Sequence, residues 1–293
     1  MATLRELKSR IGSVASSEKI TGAMKMISSA KMHKAELGLK RLVPFRNQIE
    51  TIIANLLSAD SAFSSPLIEL KDVKAATVVV WGSDDGLCGA YNVNNYKQLV
   101  GHIGSLRSKY GDDVKINVIA VGKKMFKACA KLSSGSVSVK QAATVDSKSS
   151  GQPVNDFTSQ LQSDFLAGET DRVDLLYMHF KSAGKQLPRV DTLLPISQDA
   201  FSSADKKASG RPYIFEPDAN TIFNRVLPLF VQSVMQEVFV ENQASEQAAR
   251  VMAMQSANDN AKKLLDQLRL EYNKLRQQAI TNELLDILGG QTK

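Results

Sequence analysis

"VMAMQSANDNAKKLLDQLRLEYNKLRQQAITN", residues 251–282, decides the architecture. Taking Val251, Met254, Asn258, Ala261, Leu265, Leu268, Tyr272, Leu275, Ala279 and Asn282 in turn, the gaps alternate three and four without a slip, and eight of these ten positions are apolar. That is a sustained heptad seam, the pattern of a helix winding on another helix. No proline follows Pro228, and no glycine lies between Pro228 and Gly289, so the helix is expected from near Asn220 to Leu288. At ~1.5 Å per residue it would span roughly 100 Å, too long to fold back inside a compact domain. A second helix must lie alongside it.

The partner is at the other end of the chain. From Thr3 to about Leu57, apolar residues recur at helical spacing: Leu4, Leu7, Ile11 and Val14, then Ile20, Met24 and Ile27, then Leu39, Leu42, Phe45, Ile49, Ile52, Ile53 and Leu56. Gly12 and Gly22 cost helix propensity there, and Pro44 is a candidate kink. "SADSAFSSP", residues 58–66, ends the segment. Both helices meet the same middle region, so leaving it on one side they would pair antiparallel. The C-terminal helix is the longer by roughly ten residues on the same rise. Its end, with Ile280, Leu284, Leu285, Ile287 and Leu288, would project beyond its partner as an apolar association site.

The middle region alternates short strands with helices. Strands are predicted at Thr77–Trp81, Lys115–Val121, Val137–Val139, Val173–Phe180, Arg189–Leu194 and Tyr213–Phe215. Helices are predicted at Asn92–Lys109, Lys123–Leu132 and Val154–Leu166. That order reads as an α/β domain with a partly parallel sheet.

The first strand runs into "GSDDGLCGAYN", which has the look of a phosphate-binding turn. The chemistry speaks against one. No lysine follows Gly86 or Gly89, as a P-loop requires, and Gly82, Gly86 and Gly89 are spaced wrongly for a dinucleotide fingerprint. Asp84 and Asp85 would repel an anion. A tight strand-to-helix turn is the better account.

Other chemistry has little support. His33, His102 and His179 are scattered away from any cysteine cluster, and Cys88 has no basic neighbour in sequence. Two cysteines and a charged N-terminus without a signal-peptide core suggest reduced thiols in a cytosolic protein. No apolar run approaches the ~20 residues of a membrane helix.

Of the net charge of +7, residues 1–41 hold +6: Arg5, Lys8, Arg10, Lys19, Lys25, Lys31, Lys34, Lys40 and Arg41 against Glu6, Glu18 and Glu36, nine minus three. An acidic partner or a plain solvated face both fit such a helix. Aromatic residues are few there and no nucleic-acid motif is present.

Three segments together are specific. "LRELKSRIGSVASSEKITGAMKMISSAKMHKAE" (residues 4–36), "SDDGLCGAYN" (83–92) and the stretch from Ala244 to Gly290 resemble, in order, the gamma subunit of F-type ATP synthase. The resemblance extends over nearly the whole chain. It implies an α/β fold: a long antiparallel two-helix coiled coil formed by the N- and C-terminal helices, plus a central Rossmann-like α/β domain. The expected boundaries are 1–66, 67–219 and 220–293. It also implies a rotor without an active site or cofactor of its own, which couples rotation of a proton-driven c-ring to ATP synthesis in other subunits. Implied partners are the hexameric head of alpha and beta subunits, the epsilon subunit and the c-ring, with no nucleic acid and no direct membrane insertion.

By the same resemblance, Arg276 and Gln277 in "YNKLRQQAITNE" would contact beta, as would Met24 and Lys25 in "KITGAMKMISSAK", where beta carries an acidic lever. The apolar tip would sit in a sleeve of the head. Tyr213, Phe215 and Glu216 in "RPYIFEPD" would meet the c-ring. Photosynthetic members carry an inserted loop with a regulatory cysteine pair, which is not found here. The start at a methionine favours a bacterial member, at the cytoplasmic face of the inner membrane. The alternatives at this point are a stand-alone nucleotide-dependent oxidoreductase with helical arms and a nucleic-acid-binding coiled coil.

Overall fold

In the computed structural model, residues 3–57, 63–133, 135–197, 201 and 215–290 are described. Contacts divide the chain into two units, residues 1–29 with 250–293, and residues 30–249. The terminal helices α1 (Leu4–Leu57) and α5 (Ala219–Gly290) each contribute to both. Helix α1 continues through Pro44.

In the larger unit, β1 (Ala75–Trp81), β2 (Lys115–Val121), β3 (Val137–Gln141), β4 (Arg172–Ser182) and β5 (Lys185–Leu194) form one sheet in the order β3-β2-β1-β4-β5. Pairing is parallel except for the β4–β5 hairpin. The crossovers run through α2 (Tyr91–Tyr110), α3 (Lys123–Cys129) and α4 (Gln152–Leu166). The strand expected at Tyr213–Phe215 is corrected in part: Phe215 belongs to no strand, and Tyr213 lies outside the described residues.

Both sheet faces are covered, which is why β1 reads as a nearly continuous apolar run rather than an alternation. Ala76, Val78 and Val80 pack with Leu99, Ile103 and Leu106 of α2 and Met125 of α3. Val79 and Trp81 point the other way, into a core shared with Ile49, Ile53 and Leu56 of α1, Phe157, Leu161 and Phe165 of α4, and Phe223 to Phe239 of α5. The Trp81 ring meets Phe239 and Tyr177 edge-on, with centroids 5.2 and 6.4 Å away. The terminal helices therefore supply one face of this domain. Arg46 Nε, on α1, lies 2.7 Å from Glu237 Oε2, on α5.

One buried charge sits under α2. Asp174 on β4 is fully buried, with His102 Nε2 and Arg172 Nε both 2.9 Å from its Oδ2. Burial disfavours its charged form. The hydrogen bonds and charges of His102 and Arg172 outweigh that and hold the carboxyl below its ordinary range.

In the smaller unit the two helices pair along a seam. On α5, Met254, Asn258, Leu265 and Leu268 are buried, and Val251, Ala261, Tyr272 and Leu275 are half-buried. The sequence seam is followed at eight consecutive positions. On α1 the inward face is Leu4, Leu7, Ile11, Val14, Glu18, Thr21, Gly22, Lys25 and Ser28. This face departs from the apolar spacing: Ile20 and Ile27, which belong to the stripe in sequence, are 59% and 56% exposed. Small residues stand at the seam instead because Asn258 comes in close. Its Nδ2 donates to Glu18 O at 2.7 Å and to Thr21 Oγ1 at 3.3 Å, and a Cβ on Gly22 would lie 3.3 Å from it. Burial on α1 reaches Leu4, 17 residues before Thr21, and burial on α5 reaches Leu275, 17 residues beyond Asn258. Equal spans in opposite directions are those of an antiparallel pair.

Candidate functional site

The glycine-rich loop that follows β1 is held by its own acids. Gly82 N–H donates to Val121 O at 2.9 Å, so β1 and β2 end side by side. A Cβ on Gly82 would lie 2.3 Å from Met125 Cβ, and one on Gly122 would lie 2.8 Å from Gly82 O. Glycine is needed at both for close approach. At Gly86 a Cβ would meet nothing within 4 Å, while its neighbour Leu87 has φ 64°.

Asp84 accepts from the Lys123 N–H (2.9 Å), the Ser147 N–H (3.0 Å) and the Ser147 hydroxyl (2.8 Å). Burial works against its charge, but these donors hold its carboxyl below the usual range. Asp85 pairs with Lys148 Nζ at 2.9 Å. The donors that would cradle a phosphate are already used by carboxylates of the chain, so the turn ties three loops together.

A doubly wound sheet binds ligands beyond the carboxyl ends of its strands, where the strand order reverses. Here that point lies between β1 and β4. It is filled. Cys88, Tyr91 and Met178 form a buried cluster packed against Ala249 of α5. The Tyr91 hydroxyl donates to Asn242 Oδ1 at 2.6 Å, the Met178 N–H donates to the same oxygen at 3.4 Å, and the Ser245 hydroxyl donates to Met178 O at 2.7 Å. The signal for this was present in the sequence. Met235, Val238, Asn242, Ser245 and Ala249 continue a three-four spacing, and two polar residues on such a stripe mark a buried polar contact.

The residues singled out by resemblance fall at separate levels. Met24 and Lys25 are half-buried on α1, while Arg276 and Gln277 are exposed on α5. With Thr21 opposite Asn258, Met24 lies opposite residue 255, about 30 Å along the helix from Arg276 at ~1.5 Å per residue. The structure does not bring the two pairs together. The Arg276 side chain has no hydrogen bond or ion pair among the described residues. The Gln277 backbone carbonyl accepts from the Thr281 hydroxyl at 2.9 Å.

Ile280, Leu284, Leu285, Ile287 and Leu288 are all exposed, at 49% to 63%. Five large apolar side chains on one helical turn after another, left uncovered among the described residues, are a surface built for contact. On α1, eight of the nine basic residues before position 42 are exposed, Lys25 being half-buried. In the larger unit, Phe215 is half-buried and packs against the α/β core, and Glu216 is exposed. Tyr213 lies outside the described residues, so the aromatic-acid cluster is seen only in these two members. No helix among the described residues is long and apolar enough to cross a membrane, and none of their His, Cys, Asp and Glu side chains group as a metal site.

Comparison with known proteins agrees with this geometry. A family model described as ATP synthase matches residues 3–292. The ATP synthase gamma chain of Bacteroides thetaiotaomicron is 40% identical over 299 residues, covering 99% of each chain. That of Polynucleobacter asymbioticus is 36% identical over 294 residues, again covering 99% of each. A chain in the Euglena gracilis mitochondrial ATP synthase (OSCP/F1/c-ring, rotational state 3) shares the fold with a TM-score of 0.65 at 20% identity, over 99% of this chain and 93% of that one. A chain in the central stalk and c-ring of the Tetrahymena thermophila mitochondrial enzyme has a TM-score of 0.56 at 23% identity, over 81% and 99%. With identity near 40% across its full length, this chain belongs to the ATP synthase gamma-chain family.

Proposed function

We propose that the chain is the central rotor of a proton-driven F-type ATP synthase and has no active site of its own. The observation that carries this is the unequal pairing of the terminal helices. Their seam ends at Leu275, and beyond it α5 continues as a helix whose apolar surface is exposed among the described residues. An apolar sleeve in the hexameric alpha–beta head would cover that surface. Arg276, at the first position past the seam, offers a free planar fork to a carboxylate of beta. Gln277 lies beside it. Lys25 and Met24, with the exposed lysines of α1, face an acidic segment of beta at a lower level. Phe215 and Glu216 belong to the foot that rests on the c-ring, near the epsilon subunit. The complex sits at the cytoplasmic face of the bacterial inner membrane, with this subunit peripheral to it. The filled crevice and the self-satisfied acid loop support placing the nucleotide chemistry in other subunits, and they speak against an oxidoreductase.

The test is a reconstituted complex carrying a chain truncated after Leu275 or the substitution Arg276→Ala. Both changes lie outside the paired seam, so the isolated chain should unfold within ~2 °C of wild type, as surface changes do. Coupled ATP synthesis should fall several-fold. Unchanged synthesis in both would refute the assignment of the tip and of Arg276.

A further inference from the structure

The crevice at the reversal of strand order is occupied by a helix that is hydrogen-bonded on two sides. Glu241, Asn242 and Ser245 of α5 face β4. The Phe180 N–H donates to Glu241 Oε1 at 3.3 Å, and Asn242 and Ser245 hold Met178 and Tyr91 as described above. Gln236 and Gln243 face the segment between β3 and α4. Gln236 exchanges two bonds with the Gly151 backbone, at 2.7 and 3.2 Å, and Gln243 Nε2 donates to Ser149 O at 2.9 Å.

At about 100° per residue, positions 241, 242 and 245 cluster on one side of the helix, and 236 and 243 lie roughly 160° away. Apolar packing resists separation but is non-directional. A hydrogen bond weakens steeply as its angle departs from linear. Bonds on opposite sides of one helix therefore oppose its rotation about its own axis, which a greasy groove would not do. Asn242 and Ser245 are fully buried, so water does not stand ready to replace the bonds.

We propose that this crevice is a torsional clamp: the place where a nucleotide binds in other doubly wound domains has become the socket that locks α5 to the sheet, so that twist applied to the α/β domain passes into the helix without slip. Gln236, Gln243, Asn242 and Ser245 are its anchoring residues, one pair on each side. The inference rests on the rotor reading and adds the part of the chain that carries the load.

The experiment uses the assembled complex with the head immobilised and a rotation probe attached through Lys97→Cys, at an exposed site of α2. Native Cys88 and Cys129 are buried and leave the label site-specific. With the head locked by a non-hydrolysable nucleotide, the angular variance of the probe should rise at least two-fold in Gln236→Leu/Asn242→Leu. Tyr91→Phe, which keeps the ring and drops only the hydroxyl, should show a smaller rise and decides the matter if the double variant does not assemble. A role in folding alone would lower the unfolding temperature and leave the variance where it was, and that result overturns the proposal. A wild-type probe that fails to turn on ATP addition would refute the rotor reading instead.

Discussion

Two glycines four residues apart in one loop should respond oppositely to alanine. At Gly82 the added Cβ would lie 2.3 Å from Met125 Cβ and 2.9 Å from Asn92 Oδ1. The first is not the free end of a side chain, since it is fixed to the backbone of α3. The second already accepts the Ser83 N–H at 2.9 Å. Bringing the Met125 contact out to an ordinary separation needs a shift of more than an ångström between α3 and the end of β1. Overpacking of that kind costs typically 1–3 kcal/mol, and this site belongs at the upper end. For a domain of this size each kcal/mol lowers the unfolding temperature by about 2–4 °C, so Gly82→Ala should lose roughly 6–12 °C. At Gly86 a Cβ meets nothing within 4 Å and the backbone is not left-handed. Gly86→Ala should therefore stay within about 2 °C of wild type. Thermal unfolding of the isolated chain followed by circular dichroism reads both. Equal effects of the two substitutions, or a Gly82 variant as stable as wild type, would refute the close-packing account of this turn.

Two further outcomes are expected. Asn258→Ala removes two hydrogen bonds to α1 and should cost about 1–2 kcal/mol. Gly22→Ala should then gain close to the ~1 kcal/mol of helix propensity in the Asn258→Ala background and less in wild type, because the contact at 3.3 Å is gone. A double-mutant cycle in urea with no coupling would sink the idea that the two positions share one space. For Asp174 the folded pKa lies below the unfolded value, so its contribution is present above about pH 4 and is lost as pH falls through the folded pKa. Asp174→Asn should destabilise by about 3 kcal/mol at pH 7, the cost of breaking a buried pair, and the gap from wild type should narrow below pH 4. A gap independent of pH would contradict it.

The course of the chain is legible in the sequence where one periodicity governs a segment. The seam of α5 follows the heptad positions from Val251 to Leu275, and β2 has the ends read from its composition. The inner face of α1 is legible at Leu4, Leu7, Ile11 and Val14 but not near Asn258, where hydrophobicity selects Ile20 and Ile27 while close packing selects Thr21 and Gly22. Gly22 has the look of a defect in a helix and is a fitting surface. The turn after β1 reads as a tight connection and is one, but the use of Asp84 is hidden. Its partners, Lys123 and Ser147, are 39 and 63 residues away. The clamp residues of α5 are hidden for the same reason: a polar side chain on an apolar stripe announces a partner without naming it.

The end of the seam at Leu275 has an energetic consequence of its own. Fifteen residues of α5, 276–290, continue as helix, and residues 276–288 are exposed among the described residues. A single helix of that length is marginal in water, since most helical stability comes from packing. Its order is thus largely supplied by whatever encloses it, and the free energy of that enclosure is shared between contact and ordering. Changes of helix propensity on its exposed positions, such as Gln278 or Ala279, become changes in assembly affinity even where no contact is altered.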